Sequence, residues 1–116
     1  MAFNKAFSLE FFVSLIKHKT MNSPEIKQFI RQNSNLFWYI PEDKKEEISQ
    51  ELLVETILNY GDMNAILKLF NLLGIKEVAK IFFDSITISN RRKGNYQELT
   101  INYFKLVFRK YAHGNI

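Results

Sequence analysis

Apolar residues recur along this chain at intervals of three and four, the spacing of helices that bury one face. Leu9, Phe12, Val13 and Ile16 follow Ser8 in that rhythm and predict a short helix over 8–18, capped by the Ser8 hydroxyl. Ser23-Pro24-Glu25 marks a second start, over 24–32. It has a capping hydroxyl, a proline at the first helical position and an acid at the positive end of the dipole. Ile26, Phe29 and Ile30 share a face there, and Asn33-Ser34-Asn35 offers side chains that compete with the backbone and end the helix.

Leu36-Phe37-Trp38-Tyr39-Ile40 is a continuous apolar run stopped by Pro41, and a proline disfavours helical backbone in the residue before it. The segment near 36–40 is therefore expected to be extended. From Pro41 the pattern predicts the longest helix, with Ile48, Leu52, Leu53, Ile57 and Tyr60 on its apolar side and Gly61 as a left-handed cap. Asp62 caps the next, in which Met63, Ile66, Leu67, Phe70 and Leu73 form a stripe that Gly74 ends in the same manner.

Lys76 to Asp84 continues as a further helix with Val78, Ile81 and Phe82 inward. Ile86 and Ile88 then alternate with Thr87 and Ser89 and lead into Asn90-Arg91-Arg92-Lys93-Gly94, which predicts an exposed basic loop near 89–95, with room for a short strand. The last helix, about 97–111, carries Leu99, Tyr103, Phe104, Leu106, Val107, Phe108 and Tyr111. That is more apolar surface than one narrow stripe holds, so this helix is either central to the core or shared with a partner. The expected fold is an all-α compact bundle of about six helices, a single helical domain over residues 1–116.

Composition sharpens this picture. The 116 residues are 47% apolar and include 11 Phe, 5 Tyr and 1 Trp against 4 Gly and 2 Pro, which argues against disorder. A domain of this size buries only roughly two-thirds of its unfolded surface. Some of the rings are therefore expected outside the core, free to meet a partner. Cysteine is absent, which excludes a disulfide framework, a thiolate metal site and a cysteine nucleophile. No apolar run approaches the roughly 18–20 residues of a membrane span, and Met-Ala-Phe-Asn-Lys does not read as a signal peptide. The expectation is a soluble, cytoplasmic protein without membrane contact.

The net charge of +4 is unevenly placed. Glu42, Asp43, Glu46, Glu47, Glu51 and Glu55 face only Lys44 and Lys45, a net of −4 over 42–55. Arg91, Arg92, Lys93, Lys105, Arg109 and Lys110 face only Glu98, a net of +5 over 90–116. The acids suit the first turn of a helix and a solvated face better than a cation site, because two lysines interrupt them. His18 and His113 have no neighbours at metal-ligand spacing. No phosphate-binding glycine loop, dinucleotide fingerprint, nucleophile elbow or kinase signature occurs, so neither catalysis nor a cofactor is expected.

Two binding readings stand beside each other. The basic residues Arg91, Arg92, Lys93, Lys105, Arg109 and Lys110 suit phosphates or an acidic protein, although basic loops are often simply solvated. The helices meeting at Leu73-Gly74-Ile75 also admit a helix-turn-helix, with Lys76–Asp84 as the reading helix. Against it, Phe70 is bulky where helices would cross closely, and 76–84 holds no Asn, Gln or Arg to read base edges, which favours plain core packing. Phe37, Trp38 and Tyr39, with Tyr103 and Tyr111 of the last helix, are the candidate protein-interface residues, because aromatic anchors dominate interfaces. An extended segment cannot point all of Phe37, Trp38 and Tyr39 into one core.

Leu36-Phe37-Trp38, the acidic spacer, Ile57-Leu58-Asn59-Tyr60-Gly61-Asp62, the Leu73-Gly74-Ile75 turn and Thr100-Ile101-Asn102-Tyr103-Phe104 together resemble a family of small bacterial proteins over about residues 36–111. These are encoded beside nucleotidyltransferase-type toxins of the abortive-infection class and are taken as their antitoxins. The resemblance implies a non-enzymatic protein that neutralises a toxin by binding it. It leaves open binding to its own promoter DNA, while the acidic 42–55 stretch, opposite in sign to the basic cluster, would permit self-association by charge. Tyr39 stands where that family typically has an acidic residue after the Phe-Trp pair. The runner-up reading is a small helix-turn-helix-like DNA-binding regulator.

Overall fold

A computed structural model describes residues 22–112. The helix expected over 8–18, His18 and His113 lie outside the described residues. Within them the fold is an all-α bundle, and no strand occurs. Six α-helices follow one another: α1 (Pro24–Gln32), α2 (Gln50–Tyr60), α3 (Met63–Leu73), α4 (Ile75–Ile88), α5 (Asn90–Gly94) and α6 (Glu98–Tyr111). Two 3-10 helices, Ser34–Phe37 and Glu42–Glu47, bridge α1 and α2.

The caps work largely as their residue types dictate. Ser23 Oγ accepts from the Ile26 N–H at 3.3 Å and Asp62 Oδ1 from the Ala65 N–H at 2.8 Å. Asn33 closes α1 by donating from Nδ2 to the Phe29 carbonyl at 2.9 Å. Gly74 ends α3 at φ 87, a backbone conformation that favours glycine. Gly61 does not: its φ is −73, not left-handed as expected. A Cβ there would stand 2.7 Å from the Ile57 carbonyl oxygen and 3.2 Å from Ala65 Cβ, so glycine is needed for close approach between α2 and α3.

The segment 36–40 is not extended. Leu36 N–H donates to Asn33 O and Ile40 N–H to Phe37 O, both at 2.9 Å, winding the chain in successive tight turns with Trp38 at φ −57, ψ −27. Pro41 constrains only Ile40, and the residues before it remain free to turn. The turn drives Phe37 fully into the core and leaves Trp38 80% exposed.

The long helix expected from Pro41 is broken at Ile48 and Ser49, both extended in backbone. Ser49 Oγ accepts from the Leu52 N–H at 3.2 Å and starts α2 afresh, while Ile48 drops into the core. Asn22 Nδ2 donates to the carbonyls of Glu46 at 2.9 Å and Ile48 at 3.1 Å at the break. Lys45, expected on a solvated face, is buried. Its Nζ donates to Ser34 O at 3.1 Å and Glu42 Oε1 at 2.6 Å, tying the two 3-10 helices together.

The helix expected to end at Asp84 runs on to Ile88 as α4, and the expected basic loop is the short helix α5. Ser89 Oγ accepts from the Arg92 N–H at 3.2 Å, so a local cap converts the polar stretch into a turn of helix. α4 is the centre of the bundle: it packs against α2, α3, α5 and α6. Phe82 lies fully buried on it, with ring centroids 5.2 Å from Phe83, 5.3 Å from Tyr96 and 5.3 Å from Phe108, all edge-to-face.

Candidate functional site

The described phenylalanines are buried or half-buried, whereas Trp38, Tyr39, Tyr60, Tyr103 and Tyr111 are exposed. Phe37, a candidate interface residue from sequence, is therefore corrected to a core residue: its ring is 0% exposed. The remaining candidates fall into two groups on different helices.

The first group lies over α2. Trp38 and Tyr39 meet edge-to-face at 5.6 Å, and the Tyr39 hydroxyl pairs with Thr56 Oγ1 at 3.2 Å. Thr56 is buried beneath it, so Tyr39 is fixed at both ends of its ring. Around the same helix, Leu52 and Glu55 line a cleft of about 480 Å³ with Ser49, Ser89, Arg91, Arg92 and Asn95. Asn59 fastens α2 to the chain leaving α5: its Nδ2 donates to Asn95 O at 3.1 Å and its Oδ1 accepts from the Gln97 N–H at 3.1 Å. Arg91, Arg92 and Lys93 are all exposed.

The Glu55 carboxyl in this cleft is raised above the usual carboxylate range by burial, against the opposing pull of Asn95 and Arg92. Glu42 moves the other way, held low by Lys45 and Arg31. Arg31 pairs with Glu42 at 3.0 Å and with Glu46, and these contacts tie α1 to the acidic 3-10 helix. The ion pairs among the described residues involve only Arg31, Lys45, Glu42 and Glu46. Arg91, Arg92, Lys93, Lys105, Arg109 and Lys110 take part in none of them.

The Tyr96 hydroxyl is buried with no hydrogen-bond partner among the described residues, and Ser85 is near it. Burial, then the charge of Glu55, pushes its phenol well above the ordinary value. An unpaired buried hydroxyl is destabilising by about 1 kcal/mol or more. Tyr96→Phe is accordingly expected to raise the thermal midpoint by a few degrees. The raised phenol adds a pH signature. The native state holds the neutral form, so this contribution is fully present below the ordinary phenol value of about 10 and is lost as pH rises toward the folded value. In Tyr96→Phe the alkaline loss should shrink. A lower midpoint for the variant in calorimetry at neutral pH would refute the first statement, and an alkaline loss as large as the parent's would refute the second.

The second group lies on α6. Tyr103, Phe104, Val107 and Tyr111 face Met63, Ile66, Leu67 and Phe70 of α3 across an apolar groove of about 390 Å³. Met63 and Leu67, expected inward from their spacing, are more than half exposed and form its rim. Tyr103 also borders the outer face of α6, where Leu99 is 81% and Leu106 68% exposed. Lys110 Nζ sits 5.4 Å above the Tyr111 ring. The inner face of α6, with Ile101, Phe104 and Phe108, is buried, so this helix serves the core and carries an open apolar face as well.

Sequence reasoning missed Met63, Leu67, Leu99 and Leu106 as surface residues. In α6 the signal was present, because Leu99, Tyr103 and Leu106 fall on the side of the helix away from Phe104 and Phe108. The described residues contain no group of three or more His, Cys, Asp or Glu that could hold a metal ion. No helix among them is long and apolar enough to cross a membrane. The helix considered as a DNA reader, α4, buries Val78, Ala79, Ile81, Phe82, Ser85 and Ile86, and its exposed side mixes Lys76 and Lys80 with Glu77 and Asp84. Comparison with known proteins found no matching family model, curated protein or solved structure.

Proposed function

We propose that this chain is a non-catalytic interaction protein of the antitoxin-like kind its sequence resembles, working in the cytoplasm by covering a nucleotidyltransferase-type toxin. The observation that carries this reading is Trp38. It is 80% exposed, yet its neighbours hold it in place: Phe37 is anchored in the core and Tyr39 is pinned on Thr56. A preorganised aromatic anchor loses little freedom on binding, which is the property of interface hot spots. The guanidinium groups of Arg91 and Arg92, which join none of the ion pairs among the described residues, lie around α2 from it and suit an acidic rim on the partner.

The test is co-expression with the product of the adjacent gene. A stable complex and relief of that product's toxicity are expected. Trp38→Ala should weaken the complex at least about 30-fold while leaving the thermal midpoint within a degree or two, because the ring is largely outside the core. A chain that copurifies with nothing and relieves no toxicity, or a Trp38→Ala variant that binds as well as the parent, would overturn the reading.

A second reading is favoured by the exposed cations on α5 and α6: a DNA-binding regulator that grips phosphates. It requires a mobility shift on duplex DNA that is strong at low salt and falls steeply as salt rises. No shift at low salt removes it.

A further inference from the structure

We infer that the open face of α6 is covered by a second copy of this chain, in a twofold dimer whose α6 helices run antiparallel. This goes beyond the proposed function, because it uses a different surface from Trp38 and a different partner.

The first argument is spacing. Leu99, Tyr103, Leu106 and Lys110 are separated by four, three and four residues, the interval at which one helix seats against another along a seam. Leu99, Tyr103 and Leu106 are 81%, 53% and 68% exposed, so the seam is open along its apolar length. It spans about 16 Å of helix, too short for an isolated pair of helices to hold together. The seam shares Tyr103, however, with the apolar groove to α3, whose rim residues Met63, Leu67 and Tyr111 are exposed beside it.

The second argument is charge, and it selects both the occupant and its direction. α6 begins with Glu98 and ends with Arg109 and Lys110. Laid antiparallel on its own copy, each basic end meets the partner's Glu98, and the helix dipoles oppose head to tail. A parallel arrangement would set Arg109 and Lys110 against their own counterparts. The antiparallel arrangement is also isologous, so it closes at two subunits and leaves no apolar face to propagate.

Sedimentation equilibrium on the full chain, from about 1 to 100 µM, should show conversion to twice the 13.8 kDa monomer mass. The double variant Leu99→Glu/Leu106→Glu should remain monomeric with an unchanged circular-dichroism melt, since both side chains are outside the core. Should that variant fold poorly, the charge pair tests the same face. Glu98→Lys should weaken the dimer several-fold, and adding Arg109→Glu should restore it.

Because the chain has no cysteine, single cysteines report the direction. In the antiparallel dimer Leu106→Cys, near the axis, should crosslink readily, whereas two Leu99→Cys sites stand about 16 Å apart along the helix and should not. A parent chain that stays monomeric at the highest concentration overturns the dimer, as does a Leu99→Glu/Leu106→Glu variant that associates like the parent. Equal crosslinking from both sites overturns the antiparallel arrangement. The Trp38→Ala complex assay is independent, so a monomer that still binds its partner refutes the dimer alone.

Discussion

Phe82→Ala should destabilise the protein by about 3–5 kcal/mol, the cost of deleting a fully enclosed phenyl ring and leaving its neighbours around a void. Phe82 is 0% exposed on the central helix α4, and its ring touches those of Phe83, Tyr96 and Phe108, with Phe104 a little farther away at 6.5 Å. These rings come from α4, from the α5–α6 connection and from α6, so their collapse into the space would require three parts of the chain to move together. A small domain holds only about 5–15 kcal/mol in all, and the loss is a large part of it. Ile88→Ala, on the same helix but 80% exposed, should change stability by less than about 0.5 kcal/mol. Urea titrations followed by circular dichroism compare the two. A Phe82→Ala loss below about 1 kcal/mol would mean that the ring cluster is not the centre of the core.

The features that local chemistry dictates were legible in the sequence. Ser23, Asp62 and Gly74 punctuate helices because a hydroxyl, a carboxylate and a missing Cβ act on their own backbone, and the structure places all three at helix ends. The break at Ile48 was hidden because Ile48 and Leu52 keep a four-residue spacing across it. The apolar rhythm therefore ran on while Ser49, a capping residue, restarted the helix. Near residue 88 the opposite happened. Ile86 and Ile88 alternate like a strand, yet on the last turn of α4 one is buried and the other exposed.

Among the candidate site residues, adjacency in sequence concealed opposite fates. Phe37 and Trp38 are neighbours of similar hydrophobicity, and only the tight turn, with Lys45 buried behind it, decides which one points inward. The basic residues were identifiable by charge alone. That they divide between α5 beside α2 and the length of α6, with Lys105 half-buried and Arg109 and Lys110 exposed, depends on how the helices pack, which spacing within one helix cannot show.

That turn makes Phe37 the residue on which fold and proposed binding depend together. Phe37→Ala removes a ring that is 0% exposed beside α2 and should cost about 3–5 kcal/mol, comparable to Phe82→Ala. Its effect on binding should exceed what stability alone explains. Trp38 and Tyr39 follow directly on the 3-10 helix that Phe37 anchors, and the Ile40 N–H to Phe37 O bond closes the turn that presents them. With the anchor gone, Trp38 must be ordered at the moment of binding, and that entropy comes out of the affinity. Phe37→Leu keeps most of the volume, so it should lose about 1–2 kcal/mol of stability and retain most of the binding. Complex formation measured well below the melting temperature of each variant separates the two effects. If Phe37→Ala, still folded at the assay temperature, binds the partner as tightly as Phe37→Leu, Trp38 is not presented for binding by this turn.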